Sequence, residues 1–159
     1  MPEFLHSSLG IKLTVEGVVR EVIRFMKADL RRHYNITIGT DSELMSDQKA
    51  DFVTAIVDHR VGNGGRYFWR RIDSEKVHTL RERIIREVLM SLDVAKDVLK
   101  ELRKFPLPEF TFEIHADIGE NGATSPMIQE VVAMIRANNF AAKTKPESYA
   151  ASNVADRHI

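Results

Sequence analysis

Residues 36–43 read ITIGTDSE. Isoleucine and threonine alternate as they do in a half-buried strand. Gly39 and Thr40 then lead to a carboxylate at Asp41, where an apolar strand should still be buried. A charge in that place needs a reason, and the flanking segments frame it. Downstream, DFVTAIVDHRV (51–61) is apolar on both faces in its middle, the pattern of a central strand covered on two sides. GNGG (62–65) supplies the backbone freedom of a hairpin turn, and GRYFWRRI (65–72) returns as a third strand. The three strands form an antiparallel meander, with Asp41 at the end of the first.

Upstream, Thr14 caps a helix carrying Val15, Val18, Val19, Val22, Ile23, Met26 and Leu30 at helical spacing. The basic RRH (31–33) suits its C-terminus. Beyond the meander, Thr79 opens a long helix with Leu80, Ile84, Val88, Leu92, Ala95, Leu99 and Leu102 on one face, and Pro106 and Pro108 stop it. FTFEIHADIG (110–119) predicts a fourth strand, with Phe112, Ile114, Ala116 and Ile118 on one side and Glu113, His115 and Asp117 on the other. SPMIQEVVAMIRANNF (125–140) predicts a helix with Pro126 in its first turn. AAKTK (141–145) predicts a fifth strand, and PESYAASNVADRHI (146–159) a short terminal helical segment. The order is β-β-β-α-β-α-β-α behind a leading helix. It predicts one α/β domain over residues 1–159: a helical extension over 1–34, then a core over 35–159 with a mixed five-stranded sheet between helices.

Length and composition narrow the classes. A chain of 159 residues fits one domain with a sizeable core. Lys+Arg and Asp+Glu both number 23, so no globally basic, phosphate-seeking surface exists, and contact with nucleic acid requires a local patch. The absence of cysteine excludes disulfides, thiolate catalysis and cysteine-ligated metals. MPEFLHSSLG lacks the cationic start and apolar run of a signal peptide, and no apolar stretch is long enough to span a membrane. The chain therefore reads as a soluble cytoplasmic protein.

Asp41 and Asp117 each close an apolar strand. If those strands are neighbours, two carboxylates meet at one edge of the sheet and repel, unless a cation sits between them or one is protonated. A hard divalent ion such as Mg²⁺ is the common solution, and two such ions clamp the attacking and leaving oxygens of a phosphodiester. Singly, each aspartate is as well explained by a bond from its side chain to the following turn. The long helix offers Glu82 and Glu87. Thr79 and Glu82 fit a capping box, which gives Glu82 a structural task. Glu87 lies on the rim of the buried stripe and faces the sheet edge, so it is the metal candidate. Asp156 sits in SNVADRHI, where a frayed terminus competes with a packed one.

Acids in the first strand, the long helix, the fourth strand and the last helix occur in the order of the ribonuclease H-like superfamily. IGTDSE, DFVTAIVDHRVGNGGRYF, TLRERIIREVLMSL, FEIHADIGENG and KPESYAASNVADRH resemble the hallmark blocks of its YkuK family. The resemblance covers roughly residues 35–159. It implies that Asp41, Glu87, Asp117 and Asp156 hold two Mg²⁺ or Mn²⁺ ions for phosphodiester cleavage of RNA or DNA. It equally allows an inactive module that binds nucleic acid or protein. Only one helix separates strands four and five, where many relatives carry more.

Around these acids, His115 and His158 could ligate a softer ion or shuttle a proton; a hydrogen-bonded structural role competes for His115, and a simple terminal position for His158. Lys143, Lys145 and Arg157 could meet a phosphate beside the metals. Between Arg60 and Arg86 lie eight Lys/Arg against three acids, with Tyr67, Phe68 and Trp69 among them. That mixture suits phosphate contact and base stacking, but alternation sends half of these side chains inward.

Overall fold

The computed structural model describes residues 4–159; residues 1–3 of the N-terminal extension lie outside the described residues. The elements in chain order are β1 (Leu5–Ser7), β2 (Lys12–Leu13), α1 (Val15–Lys27), β3 (Tyr34–Leu44), β4 (Lys49–Arg60), β5 (Gly65–Lys76), α2 (Leu80–Leu102), β6 (Phe110–His115), α3 (Ile128–Ala137) and β7 (Ala141–Lys143). A π-helical turn, Ala150–Ala155, and a 3-10 turn, Asp156–His158, finish the chain. The sheet has the order β2-β1-β5-β4-β3-β6-β7. The meander β3-β4-β5 is antiparallel, while β6 runs parallel to β3 and β7 parallel to β6.

The sheet has seven strands, not five. The two additional ones come from residues before Thr14, within the stretch expected to be a helical extension. His6 and Ser7 pair with Trp69 and Phe68, covering the edge that β5 would otherwise expose. Strands of three and two residues are too short to show a periodicity. α1 also ends earlier than expected, at Lys27, with Ala28 as its cap. Tyr34 explains the stop. Its buried hydroxyl donates toward the carbonyls of Met26 and Asp29 at 3.2 and 2.6 Å, which ties the helix end to the start of β3. Leu30 falls outside the helix and is exposed.

Thr14 caps α1 through a bond from the Gly17 amide at 3.1 Å, and Thr79 caps α2 through the Glu82 amide at 3.0 Å. The buried stripe of α2 includes Ile84, Val88, Leu92, Ala95 and Val98, and also Glu87 and Ser91. One core joins this stripe to Val18, Val22 and Met26 of α1, Ile36, Ile38 and Ile56 of the sheet, and Val131 and Ile135 of α3. Side chains alternate along β3, so Ile36, Ile38 and Thr40 face α2, while Thr37, Gly39 and Asp41 face the other way. That second face is covered by the chain's last turns, with Val53, Ala55 and Ala155 in one small cluster. No described helix is long and apolar enough to cross a membrane.

Candidate functional site

β3 runs on to Leu44, so Asp41 lies inside the strand, opposite Val53 of β4, and not at its end as the sequence suggested. The break is on the other side. Pairing between β3 and β6 stops at Gly39 and His115, after which Ala116 bonds across to the Lys143 carbonyl at 2.9 Å. Among the described residues, β3 therefore has no paired strand on that side from Thr40 onward. The notch lies on the carboxyl side of the last pair between these two parallel strands, the side on which open α/β sheets take their ligands.

Four acids surround this notch. Asp41 is half-buried. Burial, a hydrogen bond with the Asp156 carboxyl and the charge of Asp117 raise its pKa to about 7, against the Ser42 amide that it accepts at 2.8 Å. Glu87 is buried, reaching deeper than the rim expected for it. Burial first, then the charges of Asp41 and Asp117, push it up to about 8, and the Ser42 hydroxyl donating at 2.5 Å opposes them. Asp117, two residues beyond β6, accepts from the Ser152 hydroxyl at 2.6 Å and meets the Lys145 ammonium at 3.3 Å. Asp156 is exposed at the first position of the 3-10 turn. The two raised groups have one physical cause: carboxylates held close in a desolvated place disfavour their charged forms. Carboxylates are also the donors a hard cation takes. Among the described residues, no three His, Asp or Glu side chains stand together as a ligand set already gathered around one ion.

Asp156 comes within reach of Asp41 because Gly39 has no side chain. A Cβ at Gly39 would lie 2.4 Å from the Ala151 nitrogen and 2.8 Å from the Ala150 carbonyl carbon. The π-helical turn is thus seated directly on β3. The end of the chain is fixed as well. The His158 ring stacks on Trp69 at 4.4 Å, and the Arg71 guanidinium donates to the His158 carbonyl at 3.0 Å. Sequence reasoning did not find Gly39, Ser42 or Ser152 as parts of this neighbourhood. Ser152 lies one turn before Asp156, a spacing that could have drawn attention to it.

The remaining candidates are dispersed. Glu82 stands away from the notch. It accepts the His78 amide at 2.9 Å, just before the expected capping-box amide of Thr79, and pairs with Arg86. His115 is buried. Its Nδ1 accepts the Ala150 amide at 3.1 Å, and its Nε2 lies 3.1 Å from Glu113. The first bond requires an unprotonated Nδ1, in keeping with burial lowering the pKa of this histidine. Burial lowers that of His158 too. Lys143 pairs with Glu147 at 3.5 Å, and Arg157 is exposed next to Asp156. The basic stretch 60–86 is largely absorbed by structure. Arg60 lies over the Phe25 ring, Arg71 pairs with Asp51 and Asp73, Arg81 with Glu130, and Arg86 with Glu75. Phe68 is core, and Trp69 is sandwiched between His6 and His158.

This architecture agrees with what comparison of the sequence shows. A family model described as Ribonuclease H-like matches residues 17–159, so the chain belongs to the ribonuclease H-like family. The match takes in most of α1 as well as the motif blocks. The chain is similar to the uncharacterized protein YkuK of Bacillus subtilis (strain 168), at 34% identity over 169 aligned residues that cover 97% of this chain and 96% of that protein. No solved structure matches it significantly.

Proposed function

We propose that the protein is a divalent-metal-dependent nuclease that hydrolyses a phosphodiester of RNA or DNA. The observation that carries this reading is that Asp41, Glu87, Asp117 and Asp156 lie around one notch, just past the last pair of the parallel strands β3 and β6, in a chain of the ribonuclease H-like family. Asp41, Asp117 and Asp156, with Glu87 behind them, are the residues that would hold Mg²⁺ or Mn²⁺. The donor set fits, because every donor is a hard oxygen and a divalent cation would offset the burial and carboxylate crowding that raise the pKa values of Asp41 and Glu87. Bound there, such ions supply an activated water and stabilise the leaving oxygen.

The chain's own residues prepare the rest. Ser42 and Ser152 hold Glu87 and Asp117 in fixed orientations. Lys145, half-exposed and beside Asp117, is placed to turn from that carboxylate to a phosphate oxygen of a nucleic-acid backbone. The test is a cleavage screen over RNA, DNA and hybrid duplexes with Mg²⁺ or Mn²⁺, using Asp41→Asn as control. The Asp117–Lys145 pair and the absence of a gathered ligand set favour a second reading, an inactive module that binds nucleic acid through Lys145 and its neighbours. Binding without cleavage, and no Mn²⁺ uptake at millimolar concentration, would select it.

Two expectations follow for single residues. Glu87→Gln should weaken Mn²⁺ binding by about tenfold or more, the scale of one charged contact. Glu82→Gln should leave it unchanged and alter stability by less than about 0.5 kcal/mol, since Gln also serves at the helix start. A metal titration in which the two variants exchange behaviour would move the helix ligand to Glu82.

Asp156→Asn should also lower Mn²⁺ affinity, while amide exchange over residues 148–159 stays as in the parent. His158 and Arg71 already hold the tail, so the carboxylate is not what orders it. A tail that exchanges freely in this variant would make Asp156 an anchor and not a ligand. Removing residues 156–159 cannot make this distinction, because it removes the His158 stack too.

A further inference from the structure

On the α1/α2 side of the sheet, Arg70 of β5 is 8% exposed. Its Nε and Nη2 atoms are buried and have no hydrogen-bond partner among the described residues. A guanidinium does not shed its proton to escape burial, so its desolvation is uncompensated unless a partner arrives. Asp93 and Asp97 of α2 act on it through space without reaching it by a hydrogen bond.

Arg70 lines an open cleft of about 580 Å³, within the size of small-molecule sites. One wall is the first turn of α1, with Thr14, Val15 and Glu16. Thr14 occupies the Gly17 amide, and the preceding amides of Val15 and Glu16 are the donors that a helix start leaves to a ligand. The other wall is α2, which presents Asp93, Lys96, Asp97 and Lys100. A buried unpaired cation and a 13-residue helix pointing its N-terminus into one cleft are independent features that favour the same thing, an anionic group. A bare dianion would also face Glu16, Asp93, Asp97 and Glu101. A molecule that carries an ammonium as well turns those carboxylates into partners.

We infer that this cleft binds a small zwitterion, its phosphate or carboxylate seated on Arg70 and the Val15 and Glu16 amides, and its ammonium against Asp93 and Asp97. The site joins Val15 and Glu16, just ahead of the family match, to Arg70, Asp93 and Asp97 within it; it is separate from the acidic notch, so it stands or falls independently of the nuclease reading. The probes are phosphoethanolamine, inorganic phosphate and ethanolamine, titrated at low ionic strength into the full chain and followed by the Val15 and Glu16 amide resonances. Phosphoethanolamine should shift both amides in a saturable manner and bind more tightly than phosphate, while ethanolamine leaves them in place. Arg70→Met should weaken phosphoethanolamine by about tenfold or more. The exposed pair Asp93→Asn and Asp97→Asn, which leaves the core untouched, should erase the preference for phosphoethanolamine over phosphate. Unmoved amides with every probe would overturn the site. Equal binding of phosphate and phosphoethanolamine by the parent protein would overturn the zwitterion.

Discussion

Asp41→Asn and Asp117→Asn should each abolish metal-dependent cleavage, and Asp41→Asn should at the same time make the metal-free protein more stable above neutral pH. The activity loss follows from removing a hard anionic donor from a set of four, and losses of about a thousandfold or more are usual for groups that act as a unit. The stability gain has a definite sign. The Asp41 pKa lies near 7 when folded and near its ordinary value of about 4 when unfolded. Between those values the unfolded chain has released the proton and the folded one has not. Stability from this group is therefore complete below pH about 4 and is lost as pH rises toward 7. Glu87 and the buried Asp58, which has no hydrogen-bond partner among the described residues, are raised to about 8 and about 7 and act in the same direction. Asparagine cannot ionise. Metal-free melting temperatures of the parent and Asp41→Asn should converge near pH 4 and separate by pH 8, the variant melting higher by about 1–2 kcal/mol equivalent once solvent screening is allowed for. Metal should raise the melting temperature of the parent and not that of the variant. A variant that melts lower than the parent at pH 8 without metal would show that Asp41 serves the fold through its bond to the Ser42 amide.

What was legible in the sequence depended on how local its cause was. The meander, the two long helices and the order of the last elements could be read, because periodicity and caps at Thr14 and Thr79 act over one or two turns. β1 and β2 could not: a three-residue strand forms because the edge of β5 is open beside it, which is a tertiary reason. The same holds for the limit of α1, where the Tyr34 hydroxyl, beyond the helix, takes its terminal carbonyls. At the notch, the acids stood out by type and order, yet the side chains that orient them did not. Ser42 and Ser152 look like ordinary polar residues until α2 and the terminal turn are brought against β3. The basic stretch 60–86 shows the opposite case, a composition that resembled a phosphate surface and is mostly spent on ion pairs and packing. Arg70 departs from that pattern, because two of its buried guanidinium nitrogens have no hydrogen-bond partner among the described residues.

Gly39 is where the fold and the notch depend on one missing methyl group, and Gly39→Ala should damage both. The glycine does not occupy the left-handed backbone region, so alanine suits its conformation as part of a strand. The difficulty is space. The new Cβ would meet the backbone of Ala150 and Ala151 at under 3 Å, and neither contact is with a side chain that could swing aside. β3 is held in register by β4 and β6 on either side, so the terminal turn must move. It can move only by loosening the packing of Ala150, Ala151 and Ala155, all fully buried, the bond from the Ala150 amide to His115, and the bond from Ser152 to Asp117. A loss of about 2–3 kcal/mol is expected, the scale of an overpacked core, seen as a lower denaturation midpoint. Metal affinity should fall with it, since Asp156 is carried on the displaced turn and Asp117 loses its hydroxyl donor. Gly119→Ala is the milder comparison, because its Cβ would come no closer than 3.0 Å, to the Lys145 Cβ, and would meet no backbone atom among its nearest contacts. If Gly39→Ala retained the parent's midpoint and Mn²⁺ affinity, the terminal turn would not be seated on β3, and Asp156 would have no fixed place beside Asp41.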